Sequence, residues 1–541
     1  IEPTGPIEPT GPIEPTGPIE PQPPVADTVI RNYVDAHRLT HMISFGADDA
    51  KIRSYIGRRV EDVLLEEFAK PATQYLPDVY DASTNRVKVK NDGNNLLAWG
   101  KLFTNDDQLR TRMYWALSQI FAISDDISNS TLMARVEYFR DVLTQNAFGN
   151  YRTLLEEVTY SAEMGFWLTY WRNYSQATSK TNAPADENYA REILQLFSCG
   201  LIELNMDGTP VLVNGQPVEI YDSNDVANLA KVFTGIGYPH RFTSQSSDPG
   251  IVSSRMTMWD NFHDHTEKNY LGTTVPAGTH GTEDVSTALD TIFNLPSVAP
   301  FISRQLIQRF TRSNPSPDYV ARVASVFESG MFIHGIGVFG NGTRGDLKAV
   351  LAAILLDAEI WPAGRQFGDS DCKIREPLLQ FVQLIRQFNF APIDSSAGLG
   401  LRDASSPNTA LGQNPLDAPS VFNFYRPGYL APGTKTGAAK MTAPEFQLVN
   451  DSTAIPFFNW MAEWIVRQNA PFNPDFSQEL ALAGSPQSLV DHLNMKMTGG
   501  KLTAYENSKI VNVISGETNN RAIVNAAVML IATSAAYALI K

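Results

Sequence analysis

Apolar residues recur along most of this chain at the three- and four-residue spacing of a helix face. After Gly345-Asp346, the residues Leu347, Val350, Leu351, Ile354 and Leu355 fall at i, i+3, i+4, i+7 and i+8 without a miss, the stripe of a helix laid on a core. Asp48-Asp49 opens a similar run through Ile52, Tyr55, Ile56, Val60, Val63 and Leu64, and Asp106-Asp107 opens another through Met113, Leu117, Ile120 and Phe121. In both, acids stand where a helix N-terminus favours a cap and negative charge. Stripes at 133–146, 185–200, 223–234, 298–312, 316–328, 374–388, 486–497 and 518–540 predict further helices.

Period-two alternation is scarce. Its best instance is T-P-V-L-V-N-G-Q-P-V-E-I-Y at 209–221, where Asn214-Gly215 predicts a type I′ turn between two short strands. G-I-G-V-F-G at 335–340 has the spacing of a dinucleotide fingerprint but follows a helix-like segment, so it is expected to be a glycine-rich turn. The aromatic run F-W-L-T-Y-W-R-N-Y at 166–174 puts Trp167, Tyr170, Trp171 and Tyr174 along one helical face; the spacing fits packing between helices, and sugar stacking less well. Turn-rich stretches at 236–285 and 389–442 are long for connections inside a domain, and loops of that length are often functional. The fold class that follows is mainly α. It is a large multi-helix domain over 25–541, with a division into lobes 25–343 and 344–541 as one arrangement, a small β-hairpin insertion and long loops.

The first 24 residues break this pattern. They read I-E-P-T-G-P three times and then I-E-P-Q-P-P, and prolines at that density fix φ and remove amide donors, so neither helix nor sheet can form. An extended polyproline-like arm is expected, serving as a spacer or as a docking segment through Ile1, Pro3, Ile7, Pro9, Ile13, Pro15, Ile19 and Pro21.

Composition narrows the class. At 541 residues, 43% hydrophobic and 19% charged, the chain is globular. A net charge of −15 argues against a nucleic-acid partner. Two cysteines, Cys199 and Cys372, allow at most one disulfide, which the sequence leaves open, and no cysteine-based zinc site. The segment 522–540 is nearly long enough to span a bilayer, but Asn525, Thr533 and Ser534 interrupt it, so a buried C-terminal helix is expected and no transmembrane span. Opening on Ile1, without a Met or an apolar leader, the sequence is read as an exported chain whose signal has been removed.

The densest chemistry lies in W-D-N-F-H-D-H-T-E-K at 259–268. His263 and His265, two apart, point the same way on an extended segment, as metal-binding pairs do, and Asp264, Asp260, Glu267 or His240 could complete a site for zinc or another divalent transition metal. A hydrogen-bonded set holding a loop to the body accounts for the same residues. On the predicted helix at 184–200, Glu187 and Arg191 can pair four apart and Glu192 shares an adjacent face; these three are the candidate catalytic groups. H-R-L-T-H at 37–41 spaces its histidines as a zincin does, but Arg38 stands where that chemistry needs a glutamate. No G-x-S-x-G, P-loop, EF-hand loop or C-x-x-C is present.

E-N-Y-A-R-E followed by an apolar run and Gly200, with Tyr221, Asp225-Val226 and Thr234-Gly235, resembles the bacterial domain-of-unknown-function family 1800. R-L-T-H-M-I-S-F-G at 38–46, N-A-F-G-N-Y-R-T-L-L-E at 146–156, H-D-x-x-x-K at 263–268, R-G-D-L at 344–347, R-E-P-L at 375–378 and P-S-V-F-N-F-Y at 419–425 extend the similarity along nearly all of 35–541. Met42 replaces the arginine usual near the end of the first motif. The resemblance implies an exported bacterial protein, often encoded beside a phosphatase-like or sulfatase-like neighbour, and carries no activity of its own. Two functions are therefore expected. The first is an extracytoplasmic envelope or surface protein working by binding and assembly through the arm. The alternative is an exported metal-dependent hydrolase-like enzyme built on His263 and His265.

Overall fold

The computed structural model describes residues 28–88, 96–124, 130–243, 246–365, 367–368, 371–390, 404–466 and 474–541. The repeat arm and the 391–403 part of the second long loop lie outside the described residues. Helices carry the architecture, from Tyr33–Ile43 to Asn520–Ala532, and the sheets among the described residues are two-stranded antiparallel pairs. The chain is mainly α, as its periodicity predicts. Side-chain caps fix several helix starts. Asn32 accepts from the Asp35 amide at 3.0 Å ahead of Tyr33–Ile43, and Asp346 accepts from the Ala349 amide at 3.0 Å ahead of Leu347–Leu356. Asp222 and Asp225 form a reciprocal capping box ahead of Ser223–Val232.

Two hydrophobic cores organise these helices. The first gathers side chains between Ile30 and Trp361, joined by Leu416 and Ile540. The second gathers residues from Leu378 to Tyr537, joined by Phe45, Trp99, Leu102 and Trp115 from far earlier in the chain. Helix Gln108–Ser118 serves both, giving Leu109, Met113 and Tyr114 to the first core and Trp115 to the second. Helix Leu347–Leu356 is buried within the first core, which runs on to Trp361.

Four segments differ from the periodicity reading. The stripe after Asp48-Asp49 is two helices, Asp49–Arg53 and Val60–Ala69, because the turn between them pairs with the start of the described chain: Gly57 donates to Ile30 O at 2.7 Å and Ile30 to Arg58 O at 2.9 Å. The aromatic run is not helical past Trp167; Thr169 and Arg172 take left-handed φ of 62° and 60°. Its rings pack individually, Trp171 on Phe166 and Tyr170 on Tyr189, each at 4.1 Å between centroids. The segment at 335–340 is no simple turn, since Gly337–Gly340 pairs with Met331–His334 as a hairpin. The C-terminal run divides at Thr533, where Ser534 caps a short helix Ala535–Ala538, and Leu539–Ile540 then pairs with Lys373–Ile374. No helix among the described residues is long and apolar enough to cross a membrane. The hairpin at 209–221 forms as predicted, with Asn214 at φ 54° and Gly215 at φ 78°. Cys199 and Cys372 are not joined.

Helix Pro317–Ser329 ends at Gly330, whose φ is 65° and whose missing Cβ would lie 1.9 Å from Thr343 O. Gly57 shares the left-handed backbone at φ 85° but has open space around it. Gly330→Ala is expected to lower the unfolding free energy by about 1–3 kcal/mol more than Gly57→Ala does, because only the first adds a steric overlap to the backbone strain. Urea titrations of both variants check this.

Candidate functional site

The 259–268 stretch is built from short elements threaded against the body. A single 3-10 turn, Asp260–Phe262, leads into extended His263, and strand Lys268–Tyr270 follows. His263 is buried. Its Nδ1 lies 3.0 Å from Thr234 O and its Nε2 lies 2.8 Å from Asp284 Oδ2. Both ring nitrogens are therefore engaged by acceptors of the protein itself, and neither faces an open coordination position. Asp284, on helix Gly281–Phe293, also takes Lys268 Nζ at 2.6 Å, and Lys268 donates onward to the carbonyls of Asp264 and Thr266.

Asp264 turns away from this set and accepts from the Thr266 amide and hydroxyl at 2.9 and 2.5 Å. Burial pushes its carboxyl up, but these donors, with Lys268 and Lys231 nearby, hold it below the ordinary carboxylate range. His265 is spent on the carbonyls of Thr279 and Asp260 at 3.1 and 2.9 Å. Asp260 Oδ2 takes His280 at 3.0 Å, and Glu267 accepts from Asn269 at 3.1 Å. No group of three or more His, Cys, Asp or Glu side chains among the described residues could hold a metal ion. The pair His263 and His265 therefore does not converge with Asp264 or another carboxylate into a ligand set; backbone carbonyls and Asp284 claim the ring nitrogens first. Asp284 is the residue that the sequence does not reveal, and the pairing of Thr234 with His263 is equally hidden there, because both meet His263 only through the tertiary fold.

The candidate catalytic groups also separate. Glu187 and Arg191 pair at 3.1 Å on the surface. Glu192 is buried in the same helix, Asn188–Gln195, with Oε2 lacking a hydrogen-bond partner, and burial raises its pKa while Arg191 opposes the rise. Helix Ser223–Val232 packs against both this helix and the Lys268–Tyr270 strand.

A different arrangement marks the root of the arm. The described chain begins at Thr28, whose hydroxyl donates to Glu61 Oε2 at 2.6 Å. Glu61 Oε1 accepts from Arg59 and from His334, each at 2.9 Å, and His334 ends the first strand of the hairpin at 331–340. Burial alone would raise the Glu61 carboxyl, but hydrogen bonds from His334, Arg59 and Thr28 bring it down to about 2. The hairpin has two contrasting faces. Phe339 is fully buried against Phe68, whereas Ile333 and Val338, opposite each other in the register, are 65% and 57% exposed, and Ile336 in the turn is 67% exposed. An aliphatic surface thus stands beside Thr28, the first described residue.

The fold and these motifs define a helical body with loops tied down by buried ion pairs. The sequence profile of the family described as "Protein of unknown function (DUF1800)" matches residues 38–539, and the chain belongs to that family. No curated protein and no solved structure matches it.

Asp284→Asn is expected to destabilise the fold by about 3–5 kcal/mol, because it leaves Lys268 buried without a counter-charge; chemical denaturation measures this. Glu61 contributes through its depressed pKa, so its stabilisation is complete above its ordinary value of about 4.5 and disappears as pH falls towards 2. The gap in urea midpoint between the wild type and Glu61→Gln should be constant above about pH 5 and should close on acidification below it.

Proposed function

We propose that this chain is an extracytoplasmic envelope or surface protein that works by binding and assembly, with the repeat arm of one copy docking on the 331–340 hairpin of another. The observation that carries the reading is the aliphatic face of Ile333, Ile336 and Val338 at the arm root, formed on a hairpin whose other face is buried. Exposed apolar side chains gathered on one element mark interaction surfaces more often than isolated ones do. The arm supplies matching chemistry: Ile1, Ile7, Ile13 and Ile19 recur every six residues among prolines that limit the entropy lost on docking. The alternative, a metal-dependent hydrolase at His263 and His265, has no ligand set among the described residues to support it.

Light scattering on the full chain, on a deletion of residues 1–24 and on an Ile333→Ser, Val338→Ser double variant tests the reading. Concentration-dependent oligomers are expected for the full chain, and monomers with unchanged helical circular dichroism for both altered forms. A full chain that stays monomeric, or oligomers that survive both changes, would overturn it.

A further inference from the structure

Four segments that are far apart in sequence meet inside the body, where, among the described residues, the cations outnumber the groups that answer them. His37, Arg38 and His41 come from helix Tyr33–Ile43, Arg112 from helix Gln108–Ser118, Arg375 from the residue after strand Lys373–Ile374, and Lys501 from the turn beyond Asn494–Thr498. Arg38, Arg112 and Arg375 are 4%, 0% and 3% exposed. Arg375 Nη1 lies 3.3 Å from His41 Nδ1, and His41 Nε2 lies 3.0 Å from His37 Nε2. Since a guanidinium only donates, His41 accepts at Nδ1 and donates from Nε2 to His37. Burial first, and then the neighbouring Lys501 and Arg375, keep both imidazoles well below their ordinary pKa, so they are neutral relays and bring no counter-charge.

Several buried cations in this interior pair with a carboxylate, Lys268 with Asp284, Lys373 with Glu445, Arg135 with Glu163 and Lys496 with Glu479, and buried Arg309 donates to the carbonyls of Gln305 and Gln119. Here several donor atoms have neither. Among the described residues, Arg38 Nε and Nη1, Arg112 Nε and Nη1, and Arg375 Nε are buried without a hydrogen-bond partner. Aromatic rings cover the flat faces of these guanidiniums, Phe45 and Phe310 over Arg112, Tyr537 over Arg375 and Phe367 over Arg38, and beyond the bonds of Arg112 Nη2 to Arg309 O and of Arg375 to His41 their edges keep unanswered donors. The charges of Glu376 and Asp35 act on Arg112 and Arg38, but the hydrogen bonds of both carboxylates go to other groups. Asp35 pairs with Arg365 at 3.2 Å. Glu376 accepts from Trp115, Gln119 and Gln413 at Oε2 and from Tyr425 at Oε1, all uncharged donors. Lys501 Nζ donates to Leu539 O at 2.5 Å, and burial first, then the charges of Arg375 and Arg38, push its ammonium down to about 7.

Buried donors that lack partners are rare in native proteins, and each leaves the cost of its desolvation uncompensated. Guanidinium edges from separate elements, with an ammonium beside them, suit a ligand with several charged oxygens. We propose that the centre formed by Arg112, Arg375 and Lys501, flanked by Arg38 and the His37–His41 relay, binds a small oxyanion of the phosphate, sulfate or carboxylate type. R-L-T-H at 38–41, R-E-P-L at 375–378 and Tyr425 of P-S-V-F-N-F-Y then act together to build and line this centre. The proposal is independent of the assembly reading.

The full chain, purified in chloride buffers, is denatured and its released anions are measured by ion chromatography. In parallel, its melting temperature is followed against inorganic phosphate, sulfate and succinate at ionic strength held constant with chloride. Expected is a released oxyanion, or a saturable rise in melting temperature with one of the three. Arg112→Gln and Arg375→Gln should each weaken that response at least about tenfold, the loss expected for a charge-assisted hydrogen bond. A wild-type chain that releases no oxyanion and responds to none of the three overturns the proposal, as does a response that both variants retain in full.

Discussion

A charged side chain buried among helices must find its partner at a fixed place, and in this protein that requirement fixes the path of the long connections. Lys268 and His263 close on Asp284, which clamps the 236–285 stretch to helix Gly281–Phe293. Lys373 closes on Glu445 and so ties the short strand before the second core to the turn Pro444–Gln447. Glu479 takes both Lys496 and His492, joining helix Ser477–Leu482 to the segment that carries the π-helical turn. Removing one partner from such a pair leaves an uncompensated charge, so each clamp specifies position more sharply than apolar contact can. The cationic centre around Arg112 and Arg375 breaks the same rule, and that exception separates it from the structural clamps.

The surface follows a different logic. Glu61 gathers Thr28, Arg59 and His334 at one point, so the root of the repeat arm and the base of the 331–340 hairpin are held together by one carboxylate. The hairpin hides Phe339 and Gly337 and turns Ile333 and Val338 outward. An acidic chain with a net charge of −15 has little to offer a polyanion, and aliphatic contact fits this surface better.

Much of the architecture is legible in the amino-acid order alone. Helix Leu347–Leu356 and the Asn214-Gly215 hairpin follow local rules: a complete i, i+3, i+4 stripe behind an aspartate cap, and two residues that tolerate positive φ. The misreadings share a cause. Trp167, Tyr170, Trp171 and Tyr174 have helical spacing, yet Thr169 and Arg172 adopt left-handed backbone because the chain must turn to meet Ile236 and Asn173 must bond around Asp186. The apolar 518–540 run breaks at Thr533 so that Leu539–Ile540 can pair with Lys373–Ile374. In each case contacts far along the chain outweighed a periodic pattern.

The sequence by itself determined a mainly α body, the family, the repeat arm and the stretches rich in polar chemistry, because periodicity, caps and turn residues act within a few positions. The tertiary structure decided what the polar residues do. It gave the nitrogens of His263 to Thr234 and Asp284, set Glu187 on Arg191 at the surface, and brought Arg38, Arg112 and Arg375 into one buried centre. Those outcomes depend on which distant groups share a desolvated space, and only the folded chain fixes that.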